Sequence, residues 1–208
     1  MTRFVFLQSP WLRRAVLGLA ALSGLGAAAL LVATAVVYPT LPDLDVITHY
    51  QPKQPLRVLT ADGVEMAGFG AERRVYQRID QIPKLMKDSL LAVEDARFYT
   101  HSGIDPISVL RAGVSVVSGG LVRRIQGGST ITQQVARTFF LTRERTVSRK
   151  FKEALLSLKI ESQLSKDQVL ELYMNQIYLG NRAYGFEAAA QTYFGKTLAA
   201  LSPAECAM

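Results

Sequence analysis

Apolar and polar positions divide the chain into stretches of different period. From Ala15 to Tyr38 no charge interrupts 24 positions, and roughly 20 apolar residues suffice to cross a bilayer as a helix. Residues 39–55, "PTLPDLDVITHYQPKQP", carry four prolines and predict an extended linker. Next, "LRVLTADGVEMAGFG" alternates around Asp62-Gly63, the dipeptide of tight hairpin turns, and predicts a short two-stranded element. From Pro83 the period becomes helical, and Leu85, Met86, Leu90 and Val93 predict one apolar helix face.

Helix starts can be read from caps. Asp105-Pro106 fits an N-cap followed by proline at the first helical position. Thr130 with Gln133, Ser165 with Gln168 and Ser202 with Glu205 have the spacing of a capping box. The last start lies close to Met208, whereas helices average about three turns, so the chain reads as stopping inside an element. The expected organisation is a tail over 1–14, a transmembrane helix over 15–38, a linker over 39–55 and a C-terminally incomplete domain over 56–208. Its fold class is mainly α, with a short β-hairpin segment behind a single membrane helix.

Charge sharpens this picture. There are 24 Lys and Arg against 17 Asp and Glu, a formal net charge of +7, which suits a polyanion or an anionic membrane and equally an ordinary basic surface. Arg3, Arg13 and Arg14 precede the apolar run without an acid, so the N-terminus is expected in the cytoplasm and the domain outside. A cleavable signal peptide competes, with "ATA" at 33–35 as its cleavage site. The run nevertheless exceeds the usual apolar region of about 7–15 residues, and Trp11 and Tyr38 flank it as interface aromatics do. Cys206 is the only cysteine and the histidines are His49 and His101 alone, so neither a disulfide framework nor a metal cluster is expected.

Three stretches carry chemistry. In "AVEDARFYTHSG", residues 92–103, Glu94 follows Val93 at the rim of the apolar face. A partly desolvated carboxylate there suits a general base, although a capping or salt-bridged acid reads the same way. In "QGGSTITQQVARTFFL", Gly127 and Gly128 lead into Ser129 and Thr130 at a helix N-terminus, which is either an anion-compatible entry or an ordinary turn. In "RERTVSRKFKEALLSLKIE", Arg143, Arg145, Arg149, Lys150 and Lys152 surround Glu153. That run is a solvated basic face, or a diphosphate site with one fixed carboxylate.

Together, "EDARFYTHSGID", "GGSTITQQVAR", "RKFKE", "LELYMNQIYLGNRAYGFEAAAQTYFGK" and "LSPAE" resemble, in order and spacing, the five motifs of peptidoglycan glycosyltransferases. These are the lysozyme-like domains of class A penicillin-binding proteins and monofunctional transglycosylases, and the resemblance spans about residues 50–208. The hairpin segment looks most like the bifunctional class A type, whose remainder would include a penicillin-sensitive transpeptidase; no S-x-x-K motif occurs in this chain. The resemblance implies polymerisation of lipid II onto a growing glycan chain at the bacterial inner membrane, with the domain on its outer side. It implies Glu94 as general base and Glu153 beside the donor diphosphate. Arg137, Arg145, Arg149, Lys150 and Lys152 are the implied cations, with Ser129, Thr130, Gln133 and Gln134 as hydrogen-bond donors. Asp95, Phe98 and His101 would support or line the site, and Asn175, Gly180 and Tyr184 would shape the groove.

By the same resemblance no cofactor is required, apart from a divalent cation such as Mg2+ that some members use at the diphosphate. Other cell wall synthesis proteins are expected partners, and nucleic acid is not. Many members carry Lys-Asn where this chain has Arg137-Thr138; arginine keeps the charge with a different geometry. A glycan-cleaving lysozyme-like enzyme and a membrane-tethered inactive scaffold are the competing functions. Cations gathered around a second acid favour synthesis over cleavage.

Overall fold

The computed structural model describes residues 10–48, 50, 56–63, 65–70, 72–117, 128–142, 144 and 146–208. The chain divides into two units at Leu41/Pro42. In the first, α1 (Pro10–Val37) is one uninterrupted helix with no buried residue, closed by a 3-10 turn over Tyr38–Thr40. Its 28 residues rise about 42 Å, against a hydrocarbon core of about 30 Å. The hydroxyls of Ser23 and Thr34 donate back to the carbonyls of Leu19 and Leu30 at 2.8 Å, so neither presents a free donor.

The second unit departs at once from the expected linker. Asp45–Thr48 forms a helical turn, α2, and buries Leu44 and Ile47. These apolar residues stand three apart, the spacing that puts both on one side of a turn; the prolines only bracket it. The hairpin is as expected: β1 (Leu56–Leu59) pairs antiparallel with β2 (Glu65–Phe69), with a register shift after Val58 and Gly63 at φ +83° in the connection. A second, two-residue pairing was not legible in the sequence: β3 (Arg73–Arg74) runs parallel to β4 (Ala183–Tyr184).

The remaining elements are helices: α3 (Lys84–Glu94), α4 (Pro106–Val117), α5 (Ile131–Phe140), α6 (Val147–Gln163), α7 (Lys166–Gln176), α8 (Phe186–Phe194) and α9 (Pro203–Ala207). All three capping boxes form, each with both reciprocal hydrogen bonds. Asp105 caps α4, its Oδ1 accepting from Ile107 N at 3.1 Å. The core lies where α5 packs on α6 and α7. Ile131, Val135, Leu156, Ile160, Val169, Leu170 and Met174 are at most 1% exposed there, each stabilising the fold by about 1.5–3 kcal/mol.

The apolar face of α3 is narrower than its sequence suggests. Met86 and Leu90 are buried, but Leu85 is 42% and Val93 70% exposed. The two buried positions are four apart, on one side of the helix, and α9 packs on this helix. Glu94 therefore follows an exposed valine, and what holds its carboxylate comes from another helix.

Candidate active site

Glu94 is the last residue of α3, and Asp95 caps the helix at φ −158°. The two neighbouring acids consequently diverge. Asp95, 7% exposed, accepts a hydrogen bond from Ile131 N at 3.1 Å and faces His101 Nε2 at 3.1 Å from both oxygens. The N-terminus of α5 does hold an anion, but that anion is a side chain of the protein. Here Asp95 sits where free N–H groups and the helix dipole favour negative charge, and it takes the Ile131 N–H.

Half-buried Glu94 turns instead along α5. Its Oε2 accepts from Gln134 Nε2 at 2.8 Å. The adjacent Gln133, only 4% exposed, serves Lys150: its Oε1 lies 3.2 Å from Lys150 Nζ. Lys150 also donates to Ser129 Oγ at 2.7 Å and to Glu153 Oε1 at 2.5 Å, while Arg149 Nη1 reaches Glu153 Oε2 at 2.6 Å. Glu153 is 1% exposed. It occupies the buried stripe of α6, in step with Leu156, Ser157 and Ile160, and a charge so placed requires pairing. Two cations on one carboxylate leave the cluster with one net positive charge.

Two backbone contacts fix these helices. Thr130 Oγ1 donates to Gly103 O at 2.6 Å and accepts from Gln133 N at 3.2 Å. Gly103, at φ +70°, lies so close to α6 that a Cβ would stand 2.8 Å from the Ser157 carbonyl, so the loop after α3 is pressed between α5 and α6.

Two clefts flank the Glu94–Gln134 contact. One, of about 240 Å³, is lined by Glu94, Arg97, Asp105, Ser108, Arg111 and Ser129. Burial acts to raise the Asp105 pKa, but hydrogen bonds from Arg97, Ser108 and the backbone of Ile107 and Ser108 outweigh it and hold the carboxyl well below the usual carboxylate range. The other cleft, of about 500 Å³, is lined by Gln134, Arg137, Arg74, Gln176, Tyr178 and Tyr184 among others. Its floor is rigid: Arg74 Nη1 donates to Gln176 Oε1 at 2.6 Å and its Nε to Glu72 at 2.7 Å. The Arg74 guanidinium stands 4.3 Å from the Tyr184 ring centroid, and Tyr184 lies 4.9 Å from Tyr178.

Several expected site residues take other positions. Phe98 is 1% exposed, under the Lys166 ammonium at 4.4 Å, and belongs to the core. Asn175 is a buried clamp whose amide bonds Gln77 N and O and Glu171 O, each at 2.8 Å. Gly180, at φ +91°, makes room for Tyr193, whose hydroxyl a Cβ would meet at 2.6 Å. Thr138 spends its hydroxyl on Gln134 O at 2.8 Å. Lys152 is half-buried, and Arg137 is exposed on the larger cleft. Gly127, Arg143, Arg145 and His49 lie outside the described residues. Sequence reasoning missed Tyr173, Arg74 and Arg111; Tyr173 carries the period of a core residue on α7, and its hydroxyl gains meaning only once α5 packs beside it.

A helical domain with these motifs so arranged matches one family. The transglycosylase family model matches residues 62–208. The chain belongs to this transglycosylase family. Among its relatives, Penicillin-binding protein 1A of Neisseria flavescens is 53% identical over 188 residues, 90% of this chain and 23% of that protein. Penicillin-binding protein 1A of Escherichia coli (strain K12) is 48% identical over 173 residues, 83% of this chain and 20% of that protein. A crystal structure of Penicillin-Binding Protein 1A from Haemophilus influenzae matches at 26% identity and a TM-score of 0.35, covering 75% of this chain and 13% of that one. The chain thus spans about a fifth to a quarter of the length of these curated relatives.

Proposed function

We propose that this chain polymerises lipid II into glycan strands, with inversion at the anomeric carbon and release of polyprenyl diphosphate. The observation that carries the reading is a glutamate, Glu94, that lines one cleft and is held by Gln134, which lines the other. A transferase has to hold an acceptor and a donor on either side of its base. Glu94 takes the proton of the acceptor hydroxyl as that oxygen attacks the anomeric carbon from the face opposite the diphosphate. The α-linked donor becomes a β-linked polymer.

A glycosyl diphosphate is already a good leaving group, so catalysis consists mainly of neutralising charge that develops on its oxygens. Lys150, Arg149 and Ser129 are the donors for that task, and Glu153 holds both cations in one geometry. Arg137 supplies a further positive charge at the larger cleft. Among the described residues no group of three or more His, Cys, Asp or Glu side chains could hold a metal ion.

The apolar helix α1 supports a single-pass anchor. With Arg13 and Arg14 at its start, the domain faces the outer side of the cytoplasmic membrane. There it meets a substrate whose lipid keeps it in the bilayer, beside other proteins of wall synthesis.

The test is incubation of the detergent-solubilised chain with lipid II. Long polymer is expected. Cleavage of finished cell wall without polymer would instead establish a lytic enzyme, and neither activity would leave a scaffold. In Glu94→Gln, polymerisation should fall by about 10²–10⁴-fold, the range general-base catalysis contributes, while lipid II binding stays within about twofold. Undiminished polymerisation by that variant would remove Glu94 from the role of base.

A further inference from the structure

Behind Gln134 stands a hydroxyl to which the reaction as described gives no role. Tyr173, on α7, is 4% exposed, and its Oη lies 3.4 Å from Gln134 Oε1. The Nε2 of the same amide donates to Glu94 at 2.8 Å. A primary amide can turn half over, exchanging its donor end for its acceptor end. Turned over, Gln134 would aim an oxygen at the Glu94 carboxylate, two acceptors facing each other. The carboxylate, which can only accept, sets the orientation in which the NH2 group faces Glu94, and this leaves Oε1 to the Tyr173 hydroxyl.

We propose that Tyr173 is a positioning residue for the general base, its hydroxyl tethering the far end of the Gln134 amide that holds Glu94. This rests on the role proposed above for Glu94. The groups facing the array are Glu94 from α3 and Gln134 and Arg137 from α5. Burial pushes the Tyr173 hydroxyl well above the usual phenol range; the charge of Glu94 adds to that rise and Arg137 opposes it, so the group stays a donor at every working pH.

Tyr173→Phe keeps the ring and removes only the hydroxyl, and the test uses the full chain in detergent. The side-chain NH2 resonances of Gln134 are expected to shift and to lose exchange protection. Polymerisation should show kcat lowered about three- to tenfold, the range of one neutral hydrogen bond, with KM unchanged. The acid limb of the kcat profile should move to higher pH, because an untethered Gln134 amide donates less steadily to the charged form of Glu94. In a Gln134→Leu background the same change should have no further effect, since the two residues act through one contact. Unaltered Gln134 resonances, an unmoved acid limb, or losses that multiply in the double variant would each overturn the proposal. If the phenylalanine variant does not fold, the wild-type Tyr173 hydroxyl proton decides: slow exchange with solvent supports the contact, and exchange at the solvent rate overturns it. A wild-type chain that makes no polymer would defeat the proposed function alone, because the amide resonances report on Tyr173 without any activity.

Discussion

Glu94 and Glu153 are both carboxylates, yet their surroundings ask different things of them. Glu94 is half-buried and accepts from the neutral Gln134 amide, as suits the base proposed above. Glu153 is 1% exposed and bound by Arg149 and Lys150, so its work is to hold cations. Removing Arg149 leaves Glu153 compensated by Lys150 but takes away one hydrogen bond to a charged group, worth about 1.5–3 kcal/mol. Arg149→Ala should therefore lose about 2 kcal/mol of stability in urea unfolding, even though Arg149 lies at the candidate site. The motif order showed which residues gather, but not which of them face a substrate. Gln133 and Gln134 are adjacent in sequence, and a helix turns neighbours about 100° apart. One consequently enters the core beside Lys150, and the other reaches the cleft.

The helices report how local signals become geometry. A capping box needs only four residues, all of them local, and all three in this chain were legible and form. The width of the α3 apolar face was not legible, because exposure of Leu85 and Val93 depends on what packs nearby. Asp105 links the α4 N-terminus to Arg97 and to the smaller cleft, and its charged form is favoured by folding. A carboxyl whose folded value lies below its unfolded value of about 3.9 contributes fully above that pH, and the contribution is lost as pH falls toward the folded value. Wild type should therefore lose part of its urea stability on going from pH 5 to about pH 2. Asp105→Asn, which can still cap the helix, should show a smaller loss over that interval.

For the molecule as a whole, the proposed membrane anchor α1 would set where the chemistry happens. Arginine near a helix centre costs about 2.5–3.5 kcal/mol in insertion. Leu22→Arg with Leu25→Arg should move a large share of the chain from the membrane fraction to the soluble fraction, and polymerisation of lipid II in vesicles should fall with it. Activity retained in the soluble fraction on vesicle-borne lipid II would argue against the anchor's role. The apolar run, the hairpin dipeptide, the caps and the five motifs were decided by the sequence, since each depends on neighbours within a few residues or on a fixed order along the chain. Tertiary structure alone decided that Asp95 fills the N-terminus of α5, that Phe98, Gln133 and Asn175 turn inward, and that Tyr173 reaches Gln134. Those outcomes join segments tens of residues apart, where packing and the pairing of buried polar groups select one arrangement among many that local preference allows.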